Sequence, residues 1–141
     1  MMDMDLHRRN LRHELEAAIP ETRDGSVAIV SFEPGENEPL HATVGIAFSE
    51  RFVRHMFSDP PHPVTIGEYA AFLDRMISSE DPYVRDVATA GVLERVVGAT
   101  PDTGIARVRN LLGPLAQVEF DRTLAMRWSR GGERRDTDGG R

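Results

Sequence analysis

The stretch TIGEYAAFLDRMISSEDPYVRDVATAGVLERVVG, residues 65–98, decides how this chain folds. Its apolar residues recur at helical spacing in two runs. Ile66, Tyr69, Ala70, Leu73, Met76 and Ile77 form one stripe; Val84, Val87, Ala88, Val92 and Val96 form the other. Thr65 and Glu68 stand at capping-box spacing, which starts the first helix at Thr65 and carries it to about Ser78. Asp81-Pro82 restarts a helix at once: Asp serves as N-cap, and Pro fills the first helical position, where its missing N–H would be unsatisfied anyway. Gly98 suits the stop of the second helix. With so few residues between them, the two helices are expected to pack as a central antiparallel helical hairpin over about residues 66–97.

Upstream, Ser58-Asp59-Pro60-Pro61-His62-Pro63 breaks the chain, because each Pro fixes φ and removes a donor. The segment before it reads two ways. Leu40, Ala42, Val44 and Ile46 alternate as a strand does, while Val44, Phe48, Phe52 and Met56 step by four as a helix does. A strand to about residue 44 and a helix from Ile46 to Phe57 accommodate both patterns, and strand or helix for residues 40–47 stays open. Val27-Ala28-Ile29-Val30-Ser31-Phe32 reads as a strand that pairs with Leu40–Val44 across an acidic loop. Leu11, Leu15, Ala18 and Ile19 give one face to a first helix from Leu6 to Ile19, ended by Pro20.

Downstream, Thr100-Pro101-Asp102 repeats the cap-and-Pro device, and Ile105, Val108, Leu111 and Leu112 form the next apolar face. After Gly113-Pro114, a last helix from Leu115 to about Ser129 carries Val118, Phe120, Leu124 and Trp128. The expected fold class is therefore mainly α, with about five helices, the central hairpin, and a small β element near residues 27–44. Residues 1–130 form a single helical domain, and the polar, Gly-rich residues 131–141 form a disordered C-terminal tail.

Composition narrows the class. The chain has 141 residues, 40% hydrophobic and 28% charged, as in soluble globular proteins. No apolar run reaches the roughly 20 residues of a membrane span, and Asp3 and Asp5 stand where a signal peptide needs basic residues. The expected location is cytoplasmic. Cys is absent, which excludes disulfides, thiolate metal sites and cysteine nucleophiles. The net charge of −6 is unevenly spread. Residues 14–102 hold six Arg and sixteen acids, net −10, whereas residues 103–141 hold eight Arg and five acids, net +3. An acidic body argues against nucleic acid as the main ligand and favours a basic partner through salt-sensitive steering.

Chemistry-bearing patterns are few. The sequence has no GxSxG elbow, Walker loop, GxGxxG or HExxH. His41, His55 and His62 could form a metal site only by converging in space; ordinary surface or cap histidines are the simpler reading. Asp81 beside Glu80 serves as a helix cap before it serves as an acid or base. Arg127, Arg130, Arg134 and Arg135 near Trp128 could grip nucleic acid, but Glu133, Asp136 and Asp138 interrupt them, which fits a solvated tail. No nucleophile, base and orienting group stand together, so no catalytic residue, cofactor or metal ligand is assigned and the chain is not expected to be an enzyme.

Two resemblances add to this reading. Asp81-Pro82-Tyr83-Val84-Arg85 resembles the opening of a HEAT-type repeat helix, over one hairpin and without a second copy; one such unit cannot build a solenoid. A wider set of segments resembles small bacterial helical proteins of the polymorphic-toxin immunity-protein type. These are Leu11-Arg12-His13-Glu14-Leu15 ending at Ile19-Pro20, then Leu40-His41, Phe72-Leu73-Asp74, Asp81–Arg85, Val92-Leu93-Glu94 and Leu112-Gly113-Pro114. The match spans about residues 10–120, with Val92-Leu93-Glu94-Arg95-Val96 standing where that family has Phe-Leu-Glu-Asn-Leu. In that motif Leu93 is expected in the core, and Glu94 on the helix surface or capping a neighbouring backbone. The resemblance implies a stoichiometric protein-binding role that neutralises a cognate toxin by occlusion. The partner-binding candidates are Glu33, Glu36 and Glu38 in the acidic loop, with Asp59 on the Pro-rich loop. The alternative is a structural or adaptor module acting through the helical-hairpin surface or as a homodimer.

Overall fold

The computed structural model describes residues 5–23, 39–58 and 63–139. In chain order these form α1 (Leu11–Ala18), α2 (Leu40–Phe57), α3 (Pro63–Ile77), α4 (residues 82–99), α5 (Ile105–Arg109) and α6 (Pro114–Gly139). A single turn of 3-10 helix, Asp102–Gly104, leads into α5. The described residues contain no strand. None of the described helices is long and apolar enough to cross a membrane.

The main correction to the sequence reading falls on residues 40–44, which begin α2 rather than pairing as a strand. Leu40, Val44, Phe48, Phe52 and Met56 follow one another by four and are all buried, whereas Ala42 and Ile46 are only half-buried. The four-residue ladder thus extends one step further back than its first reading and outweighs the short alternation. The proposed partner strand, Val27–Phe32, lies outside the described residues.

The other element of the core is α4. Pro82–Asp86 is α-helical, Val87–Leu93 is π-helical, and Glu94–Ala99 is α-helical again. An amphipathic α-helix turns three to four residues in seven toward a core. The widened π turns bury five of seven: Val87, Ala88, Gly91, Val92 and Leu93. This surplus lets α4 pack on α2, α3 and α6 at once. Its crossing with α2 is backbone on backbone. A Cβ on Gly45 would stand 2.3 Å from the Gly91 carbonyl oxygen, and one on Gly91 would stand 3.0 Å from the His41 carbonyl oxygen. A side chain at Gly45 does not fit this crossing, and one at Gly91 would be tight against the α2 backbone.

The turn between α3 and α4 is stitched to the N-terminal segment. Asp81 caps α4 as expected, its Oδ1 accepting from the Tyr83 N–H at 2.9 Å, while its Oδ2 accepts from the Arg8 N–H at 2.8 Å. The buried Ser79 hydroxyl donates to the Leu6 carbonyl, and the Arg85 guanidinium donates to the Ser79 carbonyl at 2.6 Å. Leu6 is buried but precedes the helix. α1 starts only at Leu11, because the Asn10 side chain accepts from the His7 N–H at 2.9 Å and holds a turn there.

Three boundaries differ from expectation. α3 starts at Pro63, so Thr65 lies inside its first turn rather than at its cap; Pro is preorganised for that start. α4 runs past Gly98 to Ala99, and Thr100 ends it with both its N–H and its hydroxyl donating to the Val96 carbonyl. α6 continues as helix to Gly139, past the expected end near Ser129. Helix propagation adds one backbone bond per residue once a helix is nucleated, and polar composition alone does not forbid it.

The crossing yields a test by substitution. Gly45→Ala drives a methyl group into backbone that cannot rotate away, and is expected to destabilise by about 1–3 kcal/mol in denaturant unfolding. Gly67→Ala and Gly98→Ala meet open space on helices and are expected to be neutral or stabilising by up to about 1 kcal/mol.

Candidate functional site

α2 carries a histidine near each end, and each is held by a carboxylate. His41 Nε2 lies 2.7 Å from Asp86 Oδ2 of α4. His55 Nε2 lies 2.7 Å from Glu21 Oε1, in the turn that follows α1. The two are fourteen positions apart on one helix, roughly 21 Å at the standard rise, so they cannot share a metal ion. His62 lies outside the described residues. Among the described residues no three His, Cys, Asp or Glu side chains gather to hold a metal.

The Glu21 cluster is the denser of the two. The Tyr69 hydroxyl donates to Glu21 Oε1 at 2.6 Å, and Arg51 Nη1 lies 3.9 Å from Oε2. Tyr69 is fully buried, edge-on to Phe48, stacked on Phe52 and beside His55. Burial alone would raise the Glu21 carboxyl, but the bonds from Tyr69 and His55 and the charges of His55 and Arg51 outweigh it and hold the group below its ordinary value. Burial, and then the bond to Glu21, push the Tyr69 phenol up, so it stays protonated and acts as a donor. A tyrosine set this way offers no phenolate for chemistry. What the cluster does is fasten the turn after α1 to α2 and α3.

A third carboxylate has a similar structural task. Asp74 of α3 accepts from the Gly113 N–H with both oxygens, at 3.0 and 3.1 Å, and so ties down the turn before α6. Burial raises its carboxyl, and the bond from Gly113 lowers it in part.

The His41–Asp86 pair is more open, with 37% and 63% of the two side chains exposed. Tyr83 stands edge-on to His41, with the Arg8 guanidinium 4.7 Å from the Tyr83 ring centre. Asp86 also borders a solvent-facing groove of about 390 Å³ between the starts of α4 and α6. Pro82, Leu115 and Val118 supply its apolar lining, and Arg85, Asp86 and Glu119 its charged rim.

The structure places the other sequence candidates as follows. Glu33, Glu36, Glu38 and Asp59 lie outside the described residues. Arg127 is half-buried and donates to the Val97 carbonyl at 2.7 Å, which makes it a tether between α6 and α4. Leu93 is buried and Glu94 exposed, as packing predicts for that motif. Sequence reasoning missed the Glu21–His55–Tyr69 cluster, because its members are 34 and 48 positions from Glu21 and share no local pattern. It also missed the exposed apolar pair Leu115 and Val118. The signal available was a second apolar set on α6 beside the buried one of Ala116, Phe120 and Leu124.

Comparison with known protein families, curated proteins and solved structures finds no match for this chain.

The Glu21 cluster has a pH signature. A carboxylate held below its ordinary value stabilises the fold fully above about pH 4.5, and that contribution is lost as pH falls through its lower folded value. Glu21→Gln is therefore expected to flatten the acid side of the stability–pH curve, measured as the urea midpoint at successive pH values. Tyr69→Phe removes a hydrogen bond to a charged group and is expected to destabilise by about 1.5–3 kcal/mol at neutral pH.

Proposed function

We propose that this chain is a stoichiometric protein-binding protein of the toxin-neutralising kind, acting by covering a basic surface of its partner. The observation that carries this reading is where the acidic groups stand. The carboxylates that hold the fold, Glu14, Glu21 and Asp74, are half-buried and paired with Arg75, with His55 and Tyr69, and with Gly113 respectively. Glu68, Glu80, Asp86 and Glu94 are exposed along α3, α4 and the turn between them. With a net charge of −10 over residues 14–102, this exterior attracts a basic protein at long range. The polar clusters of the interior support the same reading, since their members are engaged as latches rather than aimed at a reacting centre.

Binding of this kind separates encounter from final affinity. Steering by net charge raises association rates from a neutral 10⁵–10⁶ M⁻¹s⁻¹ by about one to three orders of magnitude, and salt removes the gain. The acidic loop residues Glu33, Glu36 and Glu38, with Asp59, remain the proposed contact points, because loops on a rigid scaffold carry recognition more often than packed helices do.

The test is affinity capture of the tagged full chain from its native host at low and high salt, followed by association kinetics with the captured partner. One dominant basic partner, weakened at high salt, is expected. Changing Glu33, Glu36 and Glu38 together to Gln is expected to slow association about tenfold and to flatten its salt dependence. Capture of no basic protein at either salt would remove the proposal.

A further inference from the structure

The buried ladder of Ala116, Phe120 and Leu124 on α6, continued from Leu112 in the turn before it, faces the core. A second apolar set on α6 faces solvent, with Leu115 59% and Val118 54% exposed. Leu115, Val118, Glu119 and Arg122 follow the i, i+3, i+4, i+7 spacing of one helical face. Scattered surface leucines are ordinary, but these two project beside a groove that they help to line. A cavity of about 150 Å³ admits a benzene-sized group. At about 390 Å³ the groove has room for two aliphatic side chains. The patch thus carries both a pair of apolar knobs and a hole of matching size.

The charges around it are balanced. Arg85 lies on the α4 side and Glu119 on the α6 side, with Asp86 next to the first and Arg122 bonded to the second at 3.1 Å. One cation and two anions line the groove, and Arg122 beside it offsets Glu119, so the patch is near neutral on a protein with a net charge of −10 over residues 14–102. A basic partner finds no excess of negative charge here. A two-fold interface makes the opposite demand: each patch meets itself turned by half a revolution, so it must offer both shapes and both signs. Like charges facing each other across such an interface would cost several kcal/mol, and a balanced rim avoids that.

We propose that this face of α6, centred on Leu115 and Val118, pairs with the same face of a second copy of the chain. The knobs of each copy enter the groove of the other, and the Arg85 side of one rim meets the Glu119 side of the other. None of its residues is among the proposed contact points Glu33, Glu36, Glu38 and Asp59, so the two proposals are tested by different variants and stand or fall separately. Apolar burial drives the pairing, and salt screens the mutual repulsion of two acidic copies, so raised salt does not weaken it as it weakens the capture reaction.

Sedimentation velocity of the full chain between about 1 μM and 1 mM tests this. The mass is expected to rise from 15.7 kDa toward twice that value with concentration, at high salt at least as strongly as at low. Leu115→Asp and Val118→Asp sit on exposed positions and are expected to keep the circular dichroism and melting temperature of the parent while weakening dimerisation at least tenfold. Leu115→Met is expected to retain the dimer. A monomer across the whole range, or a dimer indifferent to both Asp variants, would overturn the proposal and leave the salt-sensitive capture unaffected.

Discussion

Everything in this fold is hung on one close crossing, where α2 and the π-helical part of α4 touch backbone to backbone through Gly45 and Gly91. Removing two Cβ atoms lets the helices approach closely enough that Val44 and Phe48 on one, and Ala88 and Val92 on the other, are sealed from water. Apolar area removed from water is stabilising at about 25 cal/mol per Å², so burying large side chains on both sides of a crossing outweighs the helix propensity lost by using glycine there. The π turn is the second half of the same solution. It brings five of seven successive residues to the inside, which a regular α-helix through the same sequence would not do.

From that crossing the outer parts follow. Because α4 is buried on several sides, its N-terminus is fixed, and Asp81 can serve two masters: the Tyr83 N–H as a cap and the Arg8 N–H as a tether. Because α2 is fixed along its length, its last turn can hold His55 against Glu21, and Tyr69 can reach the same carboxylate from α3. These polar contacts are built on the core. They set the position of the chain entering and leaving it, and they tie α1 to the later helices across more than thirty positions of sequence.

The sequence carried the helices far better than the contacts between them. Buried ladders such as Val44 to Met56, and the Asp81-Pro82 start of α4, follow from spacing and capping alone. The strand read at residues 40–44 failed because four alternating residues are a weak pattern beside a five-residue helical ladder that begins at the same residue. The π segment left no sequence signal beyond an excess of small and β-branched residues, Ala88, Gly91 and Val92 among them, since its cause is the approach of α2. Glu21, His55 and Tyr69 were unreadable for a related reason: pairing over tens of residues is decided by the packed helices, not by any local motif. The exposed face of α6 was half-visible. Leu115 and Val118 are apolar in sequence, yet only the structure separates them from the ladder that is buried. The contrast between this balanced apolar face and the acidic exterior elsewhere is what gives the molecule two surfaces of different character.

Native-state hydrogen exchange across the chain is the most direct measurement of whether the Gly45–Gly91 crossing is the seat of the fold. If it is, the amides of Val44 to Met56 and of Val87 to Val97 exchange most slowly, and only through global unfolding, with equal opening free energies in the two helices. Local opening of the Val87–Leu93 turns, at a free energy well below that of global unfolding while the rest of α4 stays protected, would contradict the account.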